Sequence, residues 1–188
     1  MSSWPALRGG LLALAAAVLF GISTPLVQRA GHGLGAFTTA ALLYAGAAFI
    51  GAVLRQPVER EAALRRGDLP RLVLMALFGA AVGPVALAWG LQHTSGTSAS
   101  LMLALEALFT AVLACTLYRE VMDRRVWTAM LLLLAGGMVL VLDRGLSGGV
   151  QMLGLLAVLA ATAAWGVDNT LSRALAERDP SQVVLGKS

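Results

Sequence analysis

The stretch ASLMLALEALFTAVLACTLYREVMDRRVWTAMLLLLAGGMVLVL, Ala99–Leu142, decides the fold. Its first 20 residues, Ala99–Tyr118, carry a single charge, Glu106. A short turn then holds Arg119, Glu120, Asp123, Arg124 and Arg125, and the next 17 residues, Val126–Leu142, carry no charge. An apolar helix of about 20 residues, rising about 1.5 Å per residue, matches a hydrocarbon core about 30 Å thick. A membrane strand needs only about 10 residues and alternates polar with apolar, and these runs do neither. Without water to satisfy the backbone, a helix is the solution left.

Four more segments of this kind lie outward from the pair: Leu11–Gln28, Ala36–Leu54, Leu72–Gln92 and Met152–Leu171. The expectation is an all-α polytopic membrane helix bundle with six spans. Of 14 basic and 10 acidic residues, only Glu106 and Asp168 fall inside these segments, as the cost of charge at mid-bilayer requires. The chain of 188 residues is 58% hydrophobic and 13% charged, against about 25% charged in soluble domains. That excludes a disordered, fibrous or nucleic-acid-coating protein and argues against a soluble enzyme. One cysteine, Cys115, excludes an internal disulfide and any multi-cysteine metal site. Two histidines 61 residues apart speak against zinc, so no cofactor and no metal are expected. The first apolar run starts after a single Arg8 and is followed by others of similar length, which fits a first span better than a cleaved signal. The connection Arg55–Arg71, RQPVEREAALRRGDLPR, is the long one and reads as a linker or an interfacial helical turn.

The arginines set the orientation. With the N-terminus in the cytoplasm, 12 basic residues lie inside and only Arg29 and Arg144 outside. This also accounts for the basic pI of about 10.2 without nucleic acid. Trp4, Trp89, Tyr118 and Trp127 fall near span ends, as an aromatic belt does. Tyr44 and Trp165 lie inside spans and either pack between helices or line a cavity.

The first and sixth spans resemble one another. LLALAAAVLFGISTPL (Leu11–Leu26) aligns with LAVLAATAAWGVDNTL (Leu156–Leu171), matching Gly21 with Gly166 and Phe20 with Trp165. Five spans separate the copies, so the second crosses in the opposite sense, the inverted-topology repeat of many secondary transporters. The expected division is a first five-helix repeat over 1–145 and the opening of a second over 146–188. A missing C-terminal half or self-association would then complete the bundle.

Three stretches resemble the EamA-like family of the drug/metabolite transporter superfamily. Ser98–Leu142 is similar to its fourth and fifth helices, with Glu120, the pair Arg124 and Arg125, and the glycines Gly136 and Gly137. Gly79–Leu101, GAAVGPVALAWGLQHTSGTSASL, is similar to the third helix and its turn. Ala160–Pro180 is similar to the opening of the second repeat, which in a bacterial subgroup runs W-G-x-D-N-N-L-T-R; here Thr170 and Ser172 depart from it. The resemblance implies a secondary carrier of the bacterial inner membrane, moving small metabolites or toxic compounds by alternating access, with proton coupling or exchange. Its partners would be the lipid bilayer and a small-molecule substrate. The alternative is a truncated or accessory membrane module without transport of its own. An intramembrane enzyme lacks support, since the six segments contain no His and no Lys.

Glu106 is the sharpest candidate. A carboxyl at that depth faces the bundle or a wet cavity, either as a proton or cation site or as a neutral acid bonded to a neighbouring helix. Asp168 and Asn169 read as lying near the cytoplasmic end of the sixth span, with Asp168 pairing with Arg173 or contacting substrate. Trp165, one turn earlier, could stack on a ligand or serve as core, and Tyr44 shares that choice. Pro25 and Pro84 each remove a backbone hydrogen bond and favour a bend, with Ser23 and Thr24 placed to satisfy carbonyls freed by Pro25. Gly79 and Gly83 suit close helix contact. His93 in the outer turn reads as solvated and Cys115 as an apolar filler. Gly186-Lys187-Ser188 only mimics a phosphate loop, because position 181 is Ser where the motif needs Gly.

Overall fold

The computed structural model describes residues 4–53, 63–145 and 149–187. Arg55, Arg60 and the rest of the long linker up to residue 62 lie outside the described residues, as do the side chains of Trp4, Arg8 and Arg144. The chain is an all-α polytopic helix bundle, with no strand among the described residues. Its helices are α1 (Trp4–Ala30), α2 (Ala36–Val53), α3 (Leu69–Met75), α4 (Gly83–His93), α5 (Gly96–Leu103), α6 (Glu106–Tyr118), α7 (Arg124–Gly145), α8 (Gly149–Ser172) and α9 (Pro180–Lys187). A 3-10 turn, Arg66–Asp68, leads into α3, and a π-helical segment, Ala76–Val82, joins α3 to α4.

Among the described residues, five stretches are long and apolar enough to cross a membrane: Gly9–Ala30, Ala36–Val53, Arg66–His93, Gly96–Tyr118 and Gln151–Leu175. The expected fifth span, Val126–Leu142, lies within the 22-residue α7. Large apolar side chains point outward, Phe37 at 77% and Phe49 at 71% exposure, as a bundle solvated by lipid requires.

The interior gathers around α8. Leu155, Val158 and Ala161 of α8 pack on Leu87 and Leu91 of α4 and on Ala99, Met102 and Leu103 of α5. Lipid tails are as apolar as leucine, so close contact between small residues replaces hydrophobic exclusion as the cohesive force. The α4–α8 seam shows it in antiparallel steps. A Cβ on Gly154 would meet the His93 backbone at 2.8 Å, one on Gly90 would meet Val158 Cγ2 at 2.7 Å, and one on Gly83 would meet Trp165 Nε1 at 2.6 Å. His93 is therefore half-buried against α8, with Trp89 stacked on its ring at 4.0 Å, rather than freely solvated.

Several local expectations are corrected. The fourth span is two helices, because the ladder is interrupted at Ala104–Leu105, where the Leu105 N–H bonds Met102 O at 3.0 Å. α1 runs through Pro25 as one helix, and the Ser23 and Thr24 hydroxyls donate to Phe20 O (2.8 and 3.2 Å), not to the Gly21 carbonyl that Pro25 frees. The segment after Ser172 is itself helical. It turns at Arg173–Leu175 and re-enters the bundle as α9, with Leu175 and Val183 packed beside Leu72 and Met75.

Candidate functional site

Two polar clusters lie on different sides of α8. The first begins at the break in the fourth span. Glu106 is the first residue of α6, and its Oε1 accepts a hydrogen bond from Asn169 Nδ2 at 2.6 Å. Glu106 stands near the middle of the stretch Gly96–Tyr118, so the pair lies at mid-span. It faces a groove of about 780 Å³ between α1, α5, α6 and α8, walled largely by apolar side chains such as Phe20 and Leu103. Tyr118, Glu120 and Arg173 also line it. Arg173 is ion-paired with Glu120, its guanidinium lies 5.1 Å from the centre of the Tyr118 ring, and the Tyr118 hydroxyl donates to Thr170 O at 3.0 Å. Both charges of that pair are substantially exposed, so it contributes little to stability. It does, however, neutralise an acid beside the groove.

The second cluster is built by the π-helical segment. The Gly83 N–H bonds Phe78 O, five residues back. In that register the Gly79 carbonyl should receive the N–H of residue 84, but residue 84 is proline and has none. An orphan carbonyl at membrane depth is costly. Two side chains meet the need: the Tyr44 hydroxyl donates to Gly79 O at 2.5 Å and the Trp165 indole N–H at 3.0 Å. Tyr44 is the ninth of the 18 residues of α2, so this node too is at mid-span.

Asp168 packs on the same glycine, since a Cβ on Gly79 would overlap its carboxylate. Asp168 is therefore level with the midpoint of α2 and not near a helix-end surface. Its partner is Lys187 of α9, whose Nζ donates to Oδ2 at 2.5 Å; Arg173 is turned away to Glu120. The packing of α4 against α8 and the return of α9 bury that end of α8.

Phe20 links the clusters. Its ring meets Trp165 edge-on with centroids 6.2 Å apart, and it lines both the groove and a smaller cavity of about 170 Å³ beside Tyr44, Ser23 and Pro84. The structure thus brings Glu106 to Asn169, and Tyr44, Trp165, Gly79 and Asp168 to one another, with Gly83 and Pro84 alongside. Pro25 stands apart on the exposed side of α1. Lys187 was missed: it lies outside the six segments, yet the run PSQVVLGK, with proline at its start, has the form of a helix N-terminus. Among the described residues, no three His, Cys, Asp or Glu side chains gather as a metal site would.

Apolar spanning helices packed around a mid-span acid on an open groove define a multi-pass membrane protein. The chain belongs to the EamA-like transporter family, whose model matches residues 7–142. It is 30% identical over 123 residues to a protein of Methanothermobacter thermautotrophicus named as an uncharacterized transporter. That alignment takes in 64% of this chain and 36% of the relative, so the chain spans about a third of the relative's length. No solved structure matches it.

Proposed function

We propose that the protein is a secondary carrier of small metabolites or toxic compounds that works by alternating access, with Glu106 and Asn169 as its central polar site. The observation that carries this reading is a mid-span carboxyl held by a single amide on a groove of about 780 Å³, within the usual range of roughly 300–1,000 Å³ for small-molecule sites. Asn169 donates to Oε1, which fixes the side chain toward the groove and leaves the carboxyl able to take up a proton or the cationic group of a solute. The contact between Phe20 and Trp165, the two aromatics that align between the first and sixth spans, supports an inverted repeat, because equivalent residues meet where a two-fold axis passes. The basic flanks, even without Lys187, which pairs inside the bundle, support a cytoplasmic N-terminus in a bacterial inner membrane.

The test is uptake into lipid vesicles carrying the intact protein, across a panel of amino acids, nucleobases and amphipathic toxic compounds, with and without an imposed pH gradient. Glu106→Gln keeps the shape and the bond to Asn169 but cannot titrate, so gradient-driven accumulation is lost while downhill exchange survives. Glu106→Leu loses both, because it strands the Asn169 amide. Undiminished gradient-driven uptake by Glu106→Gln refutes the proton role.

A further inference from the structure

Lys187 and Asp168 form an intramembrane charge pair, separate from the groove acid. The Asp168 side chain is 7% exposed and lies at the level of the α2 midpoint. Such a pair does little for stability, because desolvation offsets the Coulomb attraction. Ionisable side chains at this depth mark the paths of solutes and protons. The pair is also incompletely made: Lys187 Nζ engages Oδ2 at 2.5 Å, while Oδ1 is buried with no hydrogen-bond partner among the described residues. The charged and titratable groups that face Asp168 are Lys187 from α9, Tyr44 from α2 and, across α8, Glu106 from α6; the π-helical segment and α5 present none.

The cation is carried on α9. α9 is eight residues long. Its base is tied by the Arg178–Asp68 ion pair at 2.9 Å and by Gln182 Oε1, which accepts the Leu64 N–H at 2.9 Å. Lys187 sits at the opposite tip, where the neighbours of α9 are apolar: Leu185 lies against Gly51 of α2, and Gly186 against Leu72 of α3. Among the described residues, the contacts at this end of α9 include the Lys187–Asp168 pair and the apolar packing of Leu185 and Gly186.

We propose that Asp168 is an ammonium-binding carboxylate, occupied in this conformation by the chain's own Lys187, and that the primary ammonium of a solute competes for it and releases the tip of α9. An ammonium brings three N–H donors, enough to reach both oxygens of the carboxylate.

The experiment uses the intact protein in lipid vesicles, with Cys115→Ala and a reporter thiol from Leu185→Cys. n-Propylammonium chloride should raise the rate of maleimide labelling several-fold, because the released tip exposes residue 185. Tetramethylammonium chloride, a cation without N–H donors, should leave it unchanged. Lys187→Ala, which removes the atoms from Cγ to Nζ, should lower Tm. n-Propylammonium replaces those four atoms and should restore it, and Asp168→Asn with Lys187→Ala should show no restoration. An unchanged labelling rate in the reporter protein overturns the proposal, and this arm stands alone if Lys187→Ala fails to fold. Equal restoration of the double variant also overturns it. Glu106→Gln should keep the labelling response; loss of the response there moves the ammonium to the groove and overturns the assignment to Asp168. Failure at Asp168 leaves the reading of Glu106 intact.

Discussion

Removing the two donors on Gly79 O tests the logic of the π-helical segment. Tyr44→Phe deletes one hydrogen bond and nothing else of size. Trp165→Phe deletes the other while keeping an aromatic ring beside Phe20. Each single change leaves the carbonyl one donor, so each should cost about 0.6–1.7 kcal/mol, the scale of interhelical hydrogen bonds in membranes, with an added packing loss for the smaller ring. The double variant leaves the carbonyl with none, because Gly83 N–H is committed to Phe78 O and residue 84 has no N–H. An unsatisfied buried acceptor adds a further cost of about 1–3 kcal/mol, so the double should be worse than the sum of the singles. Pro84→Ala supplies the missing N–H. It should change the parent little and rescue the double variant specifically. The assay is thermal unfolding of all the variants in one detergent, with the Tm differences read as a double-mutant cycle. An additive double variant that Pro84→Ala does not rescue would show that the Gly79 carbonyl is satisfied in some other way, and the derivation would fail.

Two further outcomes follow from the packing and the flanking charges. Gly90→Ala should destabilise by about 1–3 kcal/mol, as overpacking does, since its Cβ would press on Val158 and Gly154; Gly46→Ala, with nothing within 4 Å, should be neutral or better in the same unfolding assay. Thiols placed by His32→Cys and Met122→Cys, each in a Cys115→Ala background, should react with an impermeant maleimide from opposite sides of the membrane, residue 122 from the cytoplasm; labelling of both from one side would refute the orientation.

The spans were legible because lipid imposes one rule on every residue of a crossing helix, and hydropathy along the chain records it. Glu106, Asp168, Tyr44 and Trp165 stood out as polar or amphipathic groups within those runs. Their partners did not, because partnership depends on crossing angles that no local pattern encodes. Glu106 and Asn169 are 63 positions apart, and Trp165 and the carbonyl it bonds are 86 apart. The π register of Ala76–Val82 was hidden for a related reason: Pro84 signals a disturbance, but the choice of register is completed by donors from α2 and α8. Lys187 was overlooked because eight residues of helix are too few for a hydropathy window to register.

At the end of the bundle that carries His93, the Gln28 side chain donates to Leu91 O at 2.9 Å and to Thr94 O at 3.1 Å, and Gln92 donates to Leu34 O at 3.1 Å. These bonds fasten the close of α1 to the α4–α5 turn and make Gln28 a fulcrum. Phe20 lies eight residues back along α1, about 12 Å at 1.5 Å per residue. A tilt of about 10° around that fulcrum therefore carries the Phe20 ring about 2 Å across the groove. Because the same ring lines both the groove and the smaller cavity, such a tilt would reshape both compartments at once.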